Sequence, residues 1–384
     1  MARIVVIGAG VVGAACAYHL AKDGHRVTVL DRSAPGMGTT SRGEGNILVS
    51  DKEPGPELDL AMWSQRRWRE LADELSTGFE WEAKGGLVVA ATETARSALQ
   101  ELAAGQQHSG VTAVDVPAAD LHSFEPHLAS GLAGGMHYPQ DQQVQPVLAA
   151  AALLHGAAAD KAEIRSGVEV TGAVTSRDGT LTGVHTTAGP LLADVVVNAA
   201  GTWGGTVSTM LGGPVPVQPR RGYVLVTEPL PRVVRHKVYS ADYVANVASS
   251  DAGLETSVVV EGTRGGTVLI GASRERVGFA GGMPVLVVQR LAAQAVRLFP
   301  MLADVALMRV YRGFRPYCPD HQPVIGPDPR VAGLWHACGH EGAGVGLAPA
   351  TGALIADLIA DRAPQVDPSR FARARFVEAG GAVA

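Results

Sequence analysis

The chain has 384 residues, with 32 Lys and Arg against 37 Asp and Glu, and its formal net charge is −5. At roughly 150 residues per domain this length suits two domains, and because no Lys/Arg-rich run is present we expect no nucleic-acid partner. The three cysteines, Cys16, Cys318 and Cys338, are too few and too scattered for a disulfide framework or a metal site. We therefore expect a cytoplasmic protein with no bound metal.

The first 31 residues predict a β-strand, a glycine turn, a helix and a second strand. Residues 3–7 and 26–30 are short apolar runs typical of buried parallel strands, and residues 11–23 predict a helix that stops at Gly24. Three glycines interrupt the apolar start, which argues against a signal peptide. Since no apolar stretch reaches about 18 residues, no transmembrane segment is expected, although a position at a membrane surface stays open.

Helical and extended patterns alternate through the rest of the chain. Further helices are predicted over residues 58–75, 94–104, 116–125, 142–159 and 284–299. Further strands are predicted over residues 85–91, 164–174, 181–187, 191–199 and 334–337, and an antiparallel sheet over 223–271. A Gly-rich turn at 339–346 then precedes a helix that runs to about residue 361.

The glycine turn carries the spacing of a dinucleotide-binding motif. Gly8 permits a tight turn, Gly10 lets the backbone approach a pyrophosphate, and Gly13 lets the helix pack closely on the strand. The amides of Val11 and Val12 then open a helix whose N-terminus favours phosphate. Asp31 follows the second strand, where a carboxylate accepts hydrogen bonds from ribose hydroxyls. This spacing predicts a bound dinucleotide but does not separate FAD from NAD.

Four separated segments together resemble the D-amino-acid-oxidase-like family of FAD oxidoreductases, which includes glycine oxidase, sarcosine oxidase and D-amino-acid dehydrogenases. The resemblance covers nearly the whole chain. Its segments are the opening motif with TTS at 39–41 and GNI at 45–47, VVNAAGTW at 196–203, GFRP at 313–316 followed by Asp320, Pro323, Ile325 and Gly326, and GHEGAGVGLAP at 339–349.

The resemblance implies an α/β fold in which a Rossmann-like FAD-binding domain is interleaved with an α+β substrate domain built on an antiparallel sheet. We expect the FAD-binding domain to comprise residues 1–78, 144–214 and 310–384, and the substrate domain residues 79–143 and 215–309. Some family members bind FAD covalently through a cysteine just before the third segment. The matching position here falls at about Phe314 and Cys318 is displaced from it, so we expect non-covalent FAD.

Beyond Gly8, Gly10, Val11, Val12, Gly13 and Asp31, the resemblance implies that small polar residues and backbone amides contact the cofactor. These are Arg32, Thr39, Thr40, Ser41, Gly45, Asn46, Val168, Ala200, Gly201, Trp203, Gly339, His340, Gly342, Ala343, Gly344, Val345 and Gly346. Glu44 lies inside the same loop as Gly45 and has no obvious role.

The resemblance implies that Arg315, the arginine of the third segment, binds the carboxylate of the substrate. A guanidinium suits this role because it donates two parallel N–H bonds to a carboxylate. Its alternative is a structural arginine paired with Asp320 or with a backbone carbonyl. Rival clamps are Arg312, Arg220 and Arg221. His340 is a candidate catalytic residue that tunes the flavin or accepts a proton, with a structural role as its alternative.

Three tyrosines, Tyr223, Tyr239 and Tyr243, are candidates for closing the substrate pocket, with sheet packing as the alternative. The predicted reaction is transfer of hydride from the carbon next to nitrogen of a small amino or imino acid to flavin N5, giving an imine. The fourth segment most resembles catalytic subunits of heteromeric dehydrogenases that act on opines, hydroxyproline, proline or glycine.

Two rival functions stay open at this point: a flavin-binding relay or structural subunit without its own substrate, and an NAD-dependent dehydrogenase. The amino or imino acid, its chirality, the choice between oxidase and dehydrogenase and the oligomeric state are undetermined. Oxygen, a quinone or a partner subunit could accept the electrons.

Overall fold

The computed structural model describes residues 1–75, 78–247 and 250–376, and the side chains of 245–247 are outside this description. The helices are α1 Val11–Lys22, α2 Pro56–Glu74, α3 Glu93–Gln107, α4 Leu121–Phe124, α5 Pro146–Ala159, α6 Gly204–Met210, α7 Ala241–Val247, α8 Val285–Leu298 and α9 Gly344–Ile359. The strands are β1 Arg3–Ile7, β2 Arg26–Asp31, β3 Asn46–Ile47, β4 Gly86–Ala90, β5 Val114–Pro117, β6 Gly134–Tyr138, β7 Gln142–Gln143, β8 Glu163–Ser166, β9 Val170–Thr175, β10 Leu181–Thr186, β11 Gly189–Leu192, β12 Val195–Asn198, β13 Gln218–Thr227, β14 Lys237–Ser240, β15 Glu255–Gly262, β16 Val268–Arg274, β17 Leu307–Tyr317, β18 Val324–Pro327 and β19 Leu334–Cys338.

Within the described residues, one sheet has six strands in the order β18-β19-β12-β1-β2-β8, parallel except for β18. Its central strand β1 is apolar on both faces, as a doubly covered parallel strand must be. Ile4 and Val6 pack into the core with α1 and α9, whereas Val5 and Ile7 pack against the small sheet β9–β11. Both faces of β1 are therefore covered, which leaves the ends of the strands for a ligand.

A second sheet has eight strands in the order β17-β13-β16-β15-β14-β4-β6-β5. Helix α8 covers one face, where Tyr223 and Leu225 of β13 pack with Leu291. Strand β17 pairs with β13 over its whole length, from Gln218↔Tyr317 to Thr227↔Leu307. The opposite face of these strands is left facing the six-stranded half of the protein.

Helix α9 lies directly on α1 because both helices carry small residues where they cross. A Cβ added to Gly352 would lie 2.5 Å from the backbone carbon and oxygen of Ala15, which no larger residue tolerates without movement. The close approach brings the N-termini of α1 and α9 to the same side of the molecule.

The predicted fold class, α/β with an antiparallel sheet, is confirmed. The two-domain division stays a prediction, and its boundary at residue 310 falls inside strand β17, which belongs wholly to the eight-stranded sheet. Among the described residues, no helix combines the length and the apolar character needed to cross a bilayer.

Several predicted elements were wrong in their extent. Residues 116–125 form the end of β5, a 3₁₀ turn and the single-turn helix α4 rather than one helix, and residues 142–145 precede α5 as a strand and its N-cap. Residues 164–174 divide at Gly167, whose φ is +72°, into β8 and β9 of different sheets. Residues 191–199 likewise divide into β11 and β12, and helix α7 interrupts the predicted sheet at 223–271. Short amphipathic runs do not distinguish helix from strand without their partners.

Replacing Gly352 by Ala should lower the free energy of unfolding by about 1–3 kcal/mol, because the added methyl group meets backbone atoms of α1. Urea unfolding of the FAD-saturated protein measures the change. Gly105→Ala in α3 is the control, since its added methyl meets only the Pro54 side chain at 3.2 Å. Equal losses in the two variants would contradict the proposed packing constraint.

Candidate functional site

A cavity of about 280 Å³ lies at the carboxyl ends of the parallel strands. Ile7, Asp31, Ala199 and Ala337, which belong to or follow β1, β2, β12 and β19, all line it. The face of β13 and β17 that is turned away from α8 closes the other side. Ligands of open α/β sheets bind at this edge, so the fold itself identifies the cavity as the candidate site.

The turn after β1 leaves backbone bare where it approaches the cavity. Gly8 has a φ of +109°, and a Cβ at this position would overlap with the carbonyl oxygen of Ala199. A Cβ on Gly13 would overlap with the carbonyl oxygen of Gly8. Only glycine satisfies both contacts, and the turn fits a pyrophosphate that must come within hydrogen-bonding distance of main-chain amides.

Helices α1 and α9 both begin at the cavity, where Val11, Val12, Gly344 and Val345 line it. The first intrahelical bond of α1 runs from the Ala14 amide to the Gly10 carbonyl at 2.8 Å, and the Val11 amide donates to the Thr40 hydroxyl at 3.0 Å. Neither N-cap residue, Gly10 or Ala343, caps its helix with its own side chain. The unpaired amides and dipole of a helix N-terminus attract negative charge. These two ends fit an anionic pyrophosphate and the negative charge of a reduced flavin ring.

Asp31 ends β2 with both carboxylate oxygens oriented by the backbone. The amides of Ala9 and Ser33 each donate to one oxygen at 2.8 Å, which leaves further lone pairs for ribose hydroxyls. The guanidinium of the neighbouring Arg32 lies 4.3 Å from the ring centroid of Trp203, and both residues line the cavity. This end of the cavity therefore fits the nucleoside portion of a dinucleotide.

Most of the cofactor residues predicted from the sequence line this one cavity. They are Gly8, Gly10, Val11, Val12, Asp31, Arg32, Thr39, Thr40, Asn46, Val168, Ala200, Gly201, Trp203, His340, Gly342, Gly344 and Val345. The predicted residues outside the lining are Gly13, Ser41, Gly45, Gly339, Ala343 and Gly346. Gly45 has a supporting position, since its missing Cβ makes room for the carbonyl oxygen of Val144. Whether each residue contacts FAD stays a prediction.

Arg315 lies on the cavity wall, on the face of β17 opposite to α8. One guanidinium nitrogen donates to the Ser273 carbonyl oxygen at 2.8 Å, the backbone contact that the structural alternative predicted. Among the described residues, no carboxylate lies within ion-pairing distance of this guanidinium. Asp320, the partner that the structural alternative named, pairs with Arg375 instead. One hydrogen bond thus holds the guanidinium in place, and its positive charge is not paired with a carboxylate of the described residues, so it can bind an anionic ligand.

The rival arginines are occupied by other groups. Arg220 is 1% exposed and bridges Glu255 and Glu341, and Arg221 pairs with Glu275 at 2.7 Å. Arg312 donates to the Gly282 carbonyl oxygen at 3.0 Å. None of the three lines the cavity, so the position of Arg315 distinguishes it from them.

Of the three candidate tyrosines, the structure brings only Tyr243 to the cavity. Tyr223 lies between Gly222 and Val224, which both line the cavity, so strand alternation turns its side chain toward α8. Its hydroxyl donates to the Gly282 carbonyl oxygen at 2.8 Å. Tyr239 is buried and its hydroxyl bonds to Ser50. The predicted substrate contacts of Tyr223 and Tyr239 are therefore not supported by their positions.

His340 lines the cavity but is only 4% exposed, and its Nε2 lies 3.0 Å from the Thr351 hydroxyl. Burial lowers the pKa of His340 to about 3, so its imidazole is neutral near neutral pH. The next residue, Glu341, is held by Arg220 and His321. Burial raises the pKa of that carboxyl, but the His321 hydrogen bond and the Arg220 charge outweigh it and the pKa is lowered.

Several lining residues were missed by sequence reasoning, among them Met37, Arg42, Phe314 and Pro316. Arg42 and Glu44 lie between the predicted cofactor residues Ser41 and Gly45, so their place in the cavity lining could have been inferred from their neighbours. Phe279 stacks on Trp203 at 5.5 Å between ring centroids, and no periodicity in its Gly-rich segment indicates this. Among the described residues, no group of three or more His, Cys, Asp or Glu side chains is arranged for a metal ion.

Comparison with known proteins agrees with this geometry. A family model described as "FAD dependent oxidoreductase" matches residues 3–358. Glycine oxidase of Pseudomonas aeruginosa is 32% identical over 97% of this chain and 98% of its own length. Hydrogen cyanide synthase subunit HcnC of the same species is 29% identical over 99% and 98%. The crystal structure of glycine oxidase from Geobacillus kaustophilus has a TM-score of 0.87 at 26% identity, covering 98% of this chain and 99% of that one.

His340 should make the protein less stable in acid. The unfolded chain binds a proton at this residue below an ordinary pKa of about 6.5, whereas the folded site resists it down to about 3, so stability falls as the pH drops through this interval. Between pH 7 and pH 5 the free energy of unfolding of the wild type should fall by about 2 kcal/mol more than that of the His340→Asn variant.

Urea unfolding at the two pH values and a fixed FAD concentration measures this difference. His19→Asn is the matched variant away from the cavity, because burial also lowers the pKa of His19 to about 3. The His19→Asn variant should also lose less unfolding free energy than the wild type between the two pH values. Identical pH profiles of His340→Asn and the wild type would contradict a neutral buried imidazole at His340.

Proposed function

The chain belongs to the family of FAD-dependent oxidoreductases, and from this membership we propose that it oxidises a small amino or imino acid. The oxidised bond joins the nitrogen to the adjacent carbon, and the product is an imine. Bound FAD supplies the acceptor for the hydride in this chemistry. The remaining work of orienting the substrate and stabilising charge belongs to residues of the chain.

The position of Arg315 carries this proposal. Its guanidinium lines the cavity, is fixed by the Ser273 carbonyl and has no carboxylate partner among the described residues. A guanidinium in a partly buried wall binds a carboxylate through two parallel hydrogen bonds. A relay subunit without a substrate needs no such group, which favours the enzyme over that alternative.

The surroundings of the cavity support hydride transfer. The neutral His340 adds no charge that would attract water or a competing anion, and the α9 N-terminus beside it favours the negative charge of a reduced ring. The cavity walls fix the orientation of the reacting carbon, and orientation alone contributes several kcal/mol to such reactions.

Relatives support a small substrate without naming this one. The similar proteins include two glycine oxidases and a hydrogen cyanide synthase subunit, so glycine and other small amino acids are the first candidates. Oxygen, a quinone or a partner subunit remains the proposed electron acceptor. Cys16, Cys318 and Cys338 are free and buried, and none lines the cavity, which supports non-covalent FAD in a cytoplasmic enzyme.

Replacing Arg315 by Ala should lower kcat/KM for an amino-acid substrate about 10- to 100-fold, the value of a hydrogen bond to a charged group. Steady-state kinetics measures it. Arg312→Ala is the matched control, since Arg312 belongs to the same strand but lies outside the cavity lining. If the two variants behave alike, Arg315 is not the carboxylate clamp.

The purified protein should be yellow, and a small amino or imino acid should bleach the flavin absorbance near about 450 nm under anaerobic conditions. The screen covers D- and L-amino acids, N-methyl amino acids, hydroxyprolines and opines. Repeating the active compounds in air separates an oxidase from a dehydrogenase. A flavoprotein that no member of these classes reduces would overturn the proposed substrate class.

A further inference from the structure

Three glycines lie on three adjacent strands of the sheet face that closes the cavity: Gly313 on β17, Gly222 on β13 and Gly271 on β16. Each leaves room for a charged residue. A Cβ on Gly313 would lie 2.6 Å from the Cβ of Arg42, one on Gly222 would overlap with the Arg315 guanidinium, and one on Gly271 would overlap with the Glu44 carboxylate.

Strand β16 relates two of these charged groups. Leu225 pairs with Ile270, but the bridge between Arg221 and Glu275 is shifted by one residue from that register, so β16 contains a bulge between these two points. Within it, the Ser273 carbonyl oxygen lies 2.5 Å from the position of a Gly222 Cβ and accepts a hydrogen bond from Arg315 at 2.8 Å. Gly271, against which the Glu44 carboxylate packs, lies two residues before Ser273, so at most about 7 Å of extended chain separates them. Arg315 and Glu44 therefore contact neighbouring points of the same strand.

Glu44 is poorly satisfied where it lies. It lines the cavity but is only 9% exposed, and its Oε1 has no hydrogen-bond partner among the described residues. Its Oε2 lies 3.3 Å from Asn46 Nδ2 and 3.9 Å from Lys237 Nζ. Lys237 is closer to Glu261, at 2.6 Å. A buried carboxylate without a full complement of donors is costly, so a cationic ligand at Oε1 would stabilise the site.

We propose that Glu44 binds the cationic nitrogen of the substrate while Arg315 binds its carboxylate. This inference rests on the proposed function and narrows it to α-amino and α-imino acids that enter with a protonated nitrogen. Such a ligand carries both charges on one carbon, and one hydrogen bond of about 2.8 Å at each end lets it bridge the gap between Glu44 and Arg315.

The contact between the substrate nitrogen and Glu44 also provides an acceptor for the proton that the reaction must release. The nitrogen passes one proton to Glu44 Oε1, and its lone pair then forms the C=N bond as the C–H bond breaks. The two electrons and the hydrogen leave together as hydride to FAD, the oxidant that the family supplies. Glu44 therefore supplies both a counter-ion for binding and a proton acceptor within hydrogen-bonding reach.

Binding of two unreactive, matched compounds to the FAD-loaded protein tests the proposal. 2-Aminoisobutyrate and 2-hydroxyisobutyrate have no hydrogen on the α-carbon and differ only in an ammonium against a hydroxyl group. Calorimetry of the wild type should show a preference for the amino compound of about 10- to 100-fold, the value of one charged hydrogen bond. Equal affinities would overturn the proposal without any variant.

Glu44→Gln should abolish the preference and leave the affinity for 2-hydroxyisobutyrate unchanged. Arg315→Lys should weaken both compounds, because both carry the carboxylate. Glu169→Gln removes a carboxylate from another part of the same cavity, where Glu169 lies 3.5 Å from Arg32, and should keep the ratio. A Glu44→Gln protein that retains the full preference would exclude Glu44 as the nitrogen site.

The outcomes separate this inference from the proposed function. If Glu44 does not bind the nitrogen but the proposed function is right, Arg315→Lys weakens the binding of both compounds while Glu44→Gln leaves the ratio of their affinities unchanged. If the proposed function is wrong, neither compound binds the wild type or responds to Arg315→Lys. Should Glu44→Gln lose FAD, equal affinities of the wild type for the two compounds still overturn the proposal.

Discussion

The site depends on backbone segments packing so closely that a side chain would separate them. Gly8 contacts the carbonyl of Ala199, Gly13 contacts the carbonyl of Gly8, and Gly352 allows α9 to lie on Ala15 of α1. These contacts join β1, β12, α1 and α9, which are distant in sequence, around the carboxyl edge of one sheet. Because interiors are packed at crystal-like density, the helix N-termini that face the cavity are fixed by the same contacts.

The second sheet complements the first across the cavity. The first sheet contributes backbone amides, and the second carries charged side chains on its facing surface. Gly222, Gly271 and Gly313 leave its surface free of side chains, so residues from the loop after β2 and from β17 can occupy the space. The Tyr311 hydroxyl donates to the Gly43 carbonyl at 3.0 Å, and the Thr39 hydroxyl donates to the Phe314 carbonyl at 2.8 Å. These bonds fasten the loop at residues 39–47 to the sheet that carries Arg315.

The arginines around the cavity illustrate how pairing assigns roles. Arg220 is enclosed by Glu255 and Glu341, and its charge is used to join β13, β15 and the segment before α9. Arg315 belongs to the directly opposite position of the neighbouring strand, yet it lines the cavity and, among the described residues, its guanidinium bonds only to the Ser273 carbonyl. Two adjacent guanidiniums thus have different bonding partners because their surroundings differ in acidic residues.

The sequence determined the unit β1–α1–β2 almost completely. The spacing of Gly8, Gly10, Gly13 and Asp31 reflects contacts within about 30 residues, and local contacts are what a periodic pattern records. Tertiary structure alone decided where residues 164–174 divide between two sheets, and which tyrosines reach the cavity. Tyr223 and Tyr243 have the same chemistry, and only the partners of their strand or helix decide which one faces the ligand. The approach of Glu44 and Arg315 to the same strand, β16, was likewise invisible in the sequence, since it requires β16, β13 and β17 to lie side by side, and that order is set by contacts among residues up to hundreds of positions apart.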